Sequence, residues 1–400
     1  MSESKDRAQV ERWLDRMLAN PHSRRTLLRR GAGGALGISL AGFLAACGSE
    51  GGGNKGAVQQ IEKGKIASNM FFSNWPYYMD SDQLTLKNFK KKYGTKIKYV
   101  EEINDNDQFF GKMRPLLENG NAGGRDMWAL TDWMAGRMIK LNYVQKLDPA
   151  GIPNVKNNLI DALKAPAFDP NREFSAPWQS GMTGLIYRKD KVARPESINA
   201  IFDPKLKGKV TMLTEMRDTV GLTMLGMGMD PAKATLDQAN QALDKVDKAT
   251  RDGQIRRFTG NDYIRDLPKG DTYMCYGWSG DATGLQADNK NIEFVFPKEG
   301  VMIWADNMQI PIGAPHAWTA EVFMNYVYDP EVAAPLAEAI NYVTPVKGVK
   351  EVLAKKDPKL AENQFIFPDD KTLATTHLFN ELSPADETAL NERFQQIIGA

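Results

Sequence analysis

A chain of 400 residues, 42% hydrophobic and 25% charged, is long enough to bury two packed cores and too apolar for a disordered polymer. Its 51 Lys and Arg stand against 50 Asp and Glu, a formal net charge of +1. That balance lacks the basic excess demanded by phosphate-backbone binding, and nucleic acid is excluded as a partner.

The first feature in chain order is an export address. Ser23, Arg24, Arg25, Thr26, Leu27, Leu28 and Arg29 match the twin-arginine consensus, and the uncharged, glycine-rich stretch Gly31 to Ala46 fits the core of a Tat signal peptide while being too short for a confident membrane span. It ends Leu44, Ala45, Ala46, Cys47, a lipobox whose thiol becomes the acylated N-terminus. The other reading, an ordinary helix with a buried cysteine, sits poorly with Gly and Arg at these positions. Residues 1–47 are thus expected to be a lipoprotein signal, 48–64 a flexible tether, and the mature protein anchored to a membrane without spanning it. Cys275 is then the one unmodified thiol, so no intrachain disulfide can form.

From Lys65 short apolar runs alternate with segments of helical period, the pattern of α/β units. Ile66 to Phe72 predicts a strand; Leu86, Phe89 and Tyr93 predict a helix closed by Gly94; Lys96 to Glu101 predicts a second strand. Phe109, Met113, Leu116 and Leu117 share a helix face, and Asp126 to Leu130 predicts a third strand. A second series follows, with strands at Gly184 to Tyr187 and Lys209 to Leu213, a helix from Asp218, a helix from Pro231 to about Thr250, and strands at Thr272 to Tyr276 and Ile292 to Phe296. Two such series predict two lobes around a cleft, with ligand at the carboxyl ends of strands.

Five segments place an aromatic ring or a carboxylate at expected strand ends: Asn74 to Tyr78, Thr131 to Trp133, Glu215 to Asp218, Trp278 to Asp281, and Trp304 to Asp306. Aromatic faces beside negative charge suit a cation, since an ammonium gains about 0.5–2 kcal/mol over a ring and pairs with a carboxylate. Separated acids select separated amines, hence a diamine or triamine. Each segment has a plainer reading. Trp75 and Trp133 could cap a sheet, and Glu215 and Asp218 could serve a helix N-terminus. Gly280 is expected to make a turn that aims Asp281 away from its strand, and Asp306 is a lone acid in the apolar run Val301 to Pro311.

Between about Lys65 and Lys350 the chain resembles the polyamine-binding proteins of bacterial ABC importers, the spermidine- and putrescine-binding family. The similarity is carried by FFSNWPYY at Phe71 to Tyr78, DMWALTDWMAGRMIKLNYVQKLD at Asp126 to Asp148, PWQSGMTGLIY at Pro177 to Tyr187, FDPKLKGKV at Phe202 to Val210, WSGD at Trp278 to Asp281 and PKEGVMIWAD at Pro297 to Asp306. The resemblance implies a two-lobed periplasmic-binding-protein-like α/β fold of type II with an inter-lobe ligand cleft. It implies lobe 1 over 65–181 and 279–322, lobe 2 over 182–278 and 323–375, and a C-terminal helical segment over 376–400. It further implies that Trp75, Tyr78, Thr131 and Trp133 line the first wall, that Glu215 and Asp218 hold one amine, that Trp278 stacks on methylenes, and that Asp281 and Asp306, beside Trp304, hold the other charged end. The implied ligand is putrescine or spermidine, the implied partner an ABC permease, and the protein a monomer with no cofactor, no metal and no catalytic residue. At Asn341 to Pro345 the chain departs from the family pattern, with Val343 where a polar contact is common.

An exported hydrolase is the competitor from another class, but past the signal His316 and His377 lie far apart and no G-x-S-x-G turn is present. Asp105 and Asp107 hint at calcium without the glycine and glutamate of an EF-hand loop. Cys275 lies in an apolar strand and is expected to be packed rather than reactive. The same fold could bind another cation, such as an opine or a betaine, or serve a sensor. Tat export of a folded protein also predicts departure from the cytoplasm already loaded.

Overall fold

The computed structural model describes residues 63–399 except Ser81 and Glu381, so the signal, Cys47 and most of the tether lie outside the described residues. Ten strands form one sheet: β1 (Asn69–Asn74), β2 (Lys96–Glu101), β3 (Met127–Thr131), β4 (Ala176–Arg188), β5 (Val210–Leu213), β6 (Ile255–Thr259), β7 (Met274–Trp278), β8 (Ile292–Val295), β9 (Val301–Gln309) and β10 (Thr376–His377). Their order is β2-β1-β3-β9-β4-β7-β5-β6, with β8 on β4 and β10 on β9. The first lobe is built on the parallel set β2-β1-β3 and the second on the parallel set β7-β5-β6.

Between these sets the long strands β9 and β4 run antiparallel, and they carry the chain from one lobe to the other. β4 is buried along all 13 residues. Its first part, Ala176 to Thr183, pairs with β9; its second, Thr183 to Arg188, pairs with β7 and β8. The far end of β9 pairs with β3, setting Thr131 opposite Asp306. Only the Gly184 to Tyr187 piece of β4 reads as a strand in the sequence, because Gln179, Ser180 and Gly181 break the apolar run. Gly181 is required by close approach: a Cβ there would lie 2.6 Å from the Trp304 ring and 2.8 Å from Tyr342.

The other elements follow their local chemistry. The helix Leu84–Tyr93 ends on Gly94 at φ 78°, the left-handed position glycine accepts without strain. Asp105 caps the helix Asn106–Leu117 by accepting from the Gln108 N–H at 3.0 Å, and Asp107 pairs with Arg137, which gives both calcium-like acids structural work. The helix expected from Pro231 starts later: Pro231–Lys233 is a separate 3-10 turn, and a Thr235–Gln238 capping box opens the helix Leu236–Arg251. β1 begins at Asn69 rather than Ile66. No helix of the described residues is long and apolar enough to cross a membrane.

One core joins Phe72 to Trp178 and Phe323 at ring separations of 5.6 and 5.8 Å. A second, under the helix Met216–Gly226, gathers Val220, Met224 and Leu243 with Leu390 and Phe394 of the C-terminal helix Pro384–Ile398. Because Phe394 is fully buried, Phe394→Ala is expected to lower unfolding free energy by about 3–5 kcal/mol, readable in chemical denaturation. Retention of wild-type stability would mean that the C-terminal helix is not docked. Cys275 lies fully buried in β7, and burial holds its thiol well above the usual range, so it is packed and unreactive.

Candidate functional site

The central strand β9 carries Asp306, and the helix Met216–Gly226 carries Asp218, into a cleft of about 1110 Å³ between the lobes. Trp75, Tyr78, Thr131, Trp133, Glu215, Asp218, Trp278, Trp304 and Asp306 all line it; Asp281 does not.

Asp306 is 3% exposed and accepts the Thr131 hydroxyl at 2.8 Å, its partner across β3 and β9. The buried Tyr78 hydroxyl stands beside the same carboxylate and, with the Thr131 hydroxyl, partly offsets the pull of burial on it. Burial pushes the Asp306 carboxyl up to about 7. Asp218, on the first turn of the helix that follows β5, accepts from the Thr183 hydroxyl at 2.8 Å and from the Trp278 indole N–H at 3.0 Å. Burial raises it to about 6 against those two donors. Thr183 also accepts from the Trp304 indole N–H at 2.8 Å, so one hydroxyl orients both a wall and an acid.

Glu215 serves the lobe interface. Its Oε1 accepts the backbone N–H of Asn106 at 3.2 Å and the Asn106 side-chain amide at 3.1 Å; the same amide group donates to Thr131 at 2.9 Å. Burial, then the charges of Asp105 and Asp218, hold Glu215 well above its usual range.

The walls are aromatic. Trp75 and Trp278 meet edge to face at 6.4 Å, Tyr78 and Tyr342 at 5.1 Å, and Trp304 lies 5.7 Å from Tyr342. Trp133 sits in the same cleft, but the Arg217 guanidinium lies 3.8 Å over its ring.

Asp281 stands behind this wall. It accepts from Tyr263 at 2.6 Å, Tyr342 at 3.1 Å and Asn261 at 3.3 Å, donors that partly offset the upward pull of its burial. Gly280 is part of the helix Ser279–Asp288 rather than a turn, and it is glycine because a Cβ would come within 2.4 Å of the Tyr342 ring. Gly280→Ala is therefore expected to displace Tyr342 and destabilise the protein by about 1–3 kcal/mol. An unchanged melting curve would contradict that contact.

One further expectation is corrected. Trp304 and Asp306 lie inside β9, not at a strand end, and alternation along the strand places both in the cleft. The Val343 backbone pairs with Ser180, and its neighbour Tyr342 lines the cleft while donating its hydroxyl to Asp281 behind it. Sequence reasoning missed Thr183, Asn106, Asn261, Tyr263 and Tyr342. Thr183 and Tyr342 stand inside segments already singled out; Asn261 and Tyr263 carried no signal. Asn261 Oδ1 is buried without a partner, and Asn261 lines the cleft.

Residues 85–362 match the family model described as bacterial extracellular solute-binding protein. The chain belongs to that family. This solute-binding protein is 24% identical over 336 residues to the spermidine/putrescine-binding periplasmic protein of Escherichia coli K12, covering 83% of this chain and 92% of that one. It is 28% identical over 338 residues to the putrescine-binding periplasmic protein PotF of the same organism, covering 78% and 87%. Its fold is that of the spermidine/putrescine ABC transporter substrate-binding protein PotD of Streptococcus pneumoniae, with a TM-score of 0.68 at 23% identity over 83% of this chain and 98% of that one. The architecture is the two-lobed periplasmic-binding-protein-like type II fold, and family membership makes the protein an extracytoplasmic solute-binding protein.

Proposed function

We propose that this protein captures a short polyamine, putrescine or spermidine, and delivers it to an ABC importer while tethered to the membrane through a lipid on Cys47 after twin-arginine export. The observation that carries the reading is the pair Asp218 and Asp306: two buried carboxylates on different lobes, each short of a cation and framed by Trp75, Trp278, Trp304 and Tyr342. A buried carboxylate without a partner costs several kcal/mol, and an ammonium at each end of a methylene chain removes that cost at both sites while the chain lies along the rings. The names of the relatives support the same ligand class.

The division of labour follows from the contacts. Asp306 and Asp218 take one amine each, and Asn261 Oδ1, a buried acceptor at the cleft without a protein partner, takes a remaining ammonium proton. Glu215 acts through the lobe contact to Asn106. Asp281 fixes Tyr263 and Tyr342.

Calorimetric titration with putrescine, spermidine, spermine and glycine betaine tests the ligand. A dissociation constant of about a micromolar or below for one polyamine, roughly 8 kcal/mol, is expected; folded, ligand-stripped protein that ignores every polyamine would sink the reading. For the anchor, Cys47→Ser is expected to move the protein from the membrane fraction to the medium or periplasm, and joint replacement of Arg24 and Arg25 by Lys to trap it in the cytoplasm. An unchanged distribution of either variant would refute the corresponding step.

A further inference from the structure

The helix Pro384–Ile398 lies beyond the matched family region, yet it reaches the ligand cleft. Ser383 caps its start, accepting from the Asp386 N–H at 3.2 Å. Leu390 and Phe394 are fully buried against Met216, Val220, Met224 and Leu243, so the helix is fixed to the second lobe. Glu387 lies on the same face of the helix, one turn before Leu390 and two before Phe394. Glu387 Oε1 accepts from Arg217 Nη2 at 2.8 Å, within the second lobe, and also from Arg137 Nη2, on the first-lobe helix Asp132–Lys140. Arg137 in turn holds Asp107 of the first lobe at 2.9 Å. Trp133 packs into the cluster, with Arg217 at 3.8 Å and Arg137 at 5.0 Å from its ring.

We propose that Glu387 is a positioning residue for cleft closure, a latch that ties the first lobe to the second through Arg137 and Arg217.

Three features separate it from an ordinary surface ion pair. The side chains of Arg137, Arg217 and Glu387 are 26%, 17% and 19% exposed, so salt screens them poorly. One carboxylate serves two guanidiniums, so its removal leaves Arg217 without its ion-pair partner and Arg137 with Asp107 alone, the costly way to break a buried pair. The connection crosses between lobes, whereas the apolar anchoring of the helix does not. Loss of the charge therefore frees the lobes without undocking the helix. The arginines of this cluster also take the Trp133 face, leaving Trp75, Trp278 and Trp304 as the stacking walls.

Glu387→Gln keeps the size of the side chain and removes its charge. In the full-length protein, hydrogen exchange without ligand is expected to quicken about fivefold or more over residues 132–140, while amides around Leu390 and Phe394 keep wild-type protection. Putrescine is expected to leave about tenfold faster with its association rate little changed. Arg137→Gln, which cuts the same tie from the first lobe, should match both effects; Leu390→Ala should instead loosen the helix itself. Unchanged exchange over 132–140 together with unchanged dissociation in both Gln variants would overturn the latch. The dissociation measurement rests on the polyamine reading and the exchange measurement does not. If no polyamine binds and exchange still quickens, the latch stands and the ligand assignment falls.

Discussion

Asp306→Asn is expected to weaken putrescine binding by about 2–3 kcal/mol, roughly 30- to 150-fold, while raising the unfolding free energy of the ligand-free protein, because it removes a buried charge that the free fold carries at a cost. The variant keeps the volume and the Thr131 contact but removes the charge that pairs with an ammonium. Asp218→Asn should lose a similar amount, since its carboxylate is also buried and held by Thr183 and Trp278 rather than by a protein cation. Asp281→Asn provides the contrast. Its oxygens are occupied by Tyr263, Tyr342 and Asn261, and it does not line the cleft, so its loss should cost stability more than affinity. Isothermal titration of the three variants decides the matter; equal affinity in wild type and Asp306→Asn would end the charge-pairing account.

Affinity should also fall steeply in mild acid. In the free protein Asp306 releases its proton at about 7 and Asp218 at about 6, both raised by burial. The ligand ammonium stays charged throughout this range and pairs with the ionised acids, so binding expels protons. Below each value, affinity drops about tenfold per pH unit per carboxyl, which predicts a loss approaching 1000-fold from pH 7.5 to pH 5. The stability of the free protein must move the other way. A carboxyl raised to about 7 in the folded chain and near 3.9 in the unfolded chain binds more protons when folded, so folding gains stability as pH falls between those values. Parallel titrations and melts at pH 5 and 7.5 check both signs, and affinity flat across that range would refute the assignment of these acids.

How much of this was legible depends on whether the signal was local. The helix ending at Gly94 and the strand Lys96 to Glu101 carry their period and their stop signals in adjacent residues, and both lie where the pattern puts them. The first half of β4 carried little local strand signal because Gly181 is dictated by what crosses it, Trp304 and Tyr342 from distant parts of the chain. For the same reason the aromatic-acid segments pointed to the cleft, but the two ranks of acid did not emerge. Asp306 faces the cavity and Asp281 stands behind it, a distinction made by Tyr263 and Tyr342, which lie 18 and 61 residues away from Asp281. Trp133 shows the limit most plainly: nothing near it in sequence says that Arg217, from the other lobe, will cover its face.

β4 and β9 act as the fulcrum of the molecule, and Asp306, on β9, and Asp218 are tied to different lobes across it. Asp306 is fastened by Thr131 to the first lobe, and Asp218 belongs to a helix of the second. Any twist of the central strands that parts the lobes draws these carboxylates away from each other. Once both are ionised, their repulsion works as a compressed spring that pushes the jaws open; a dication spanning them reverses its sign and turns it into a tie rod under tension. On the proposed polyamine reading, the same two charges thereby favour an open cleft when it is empty and a closed one when it is filled.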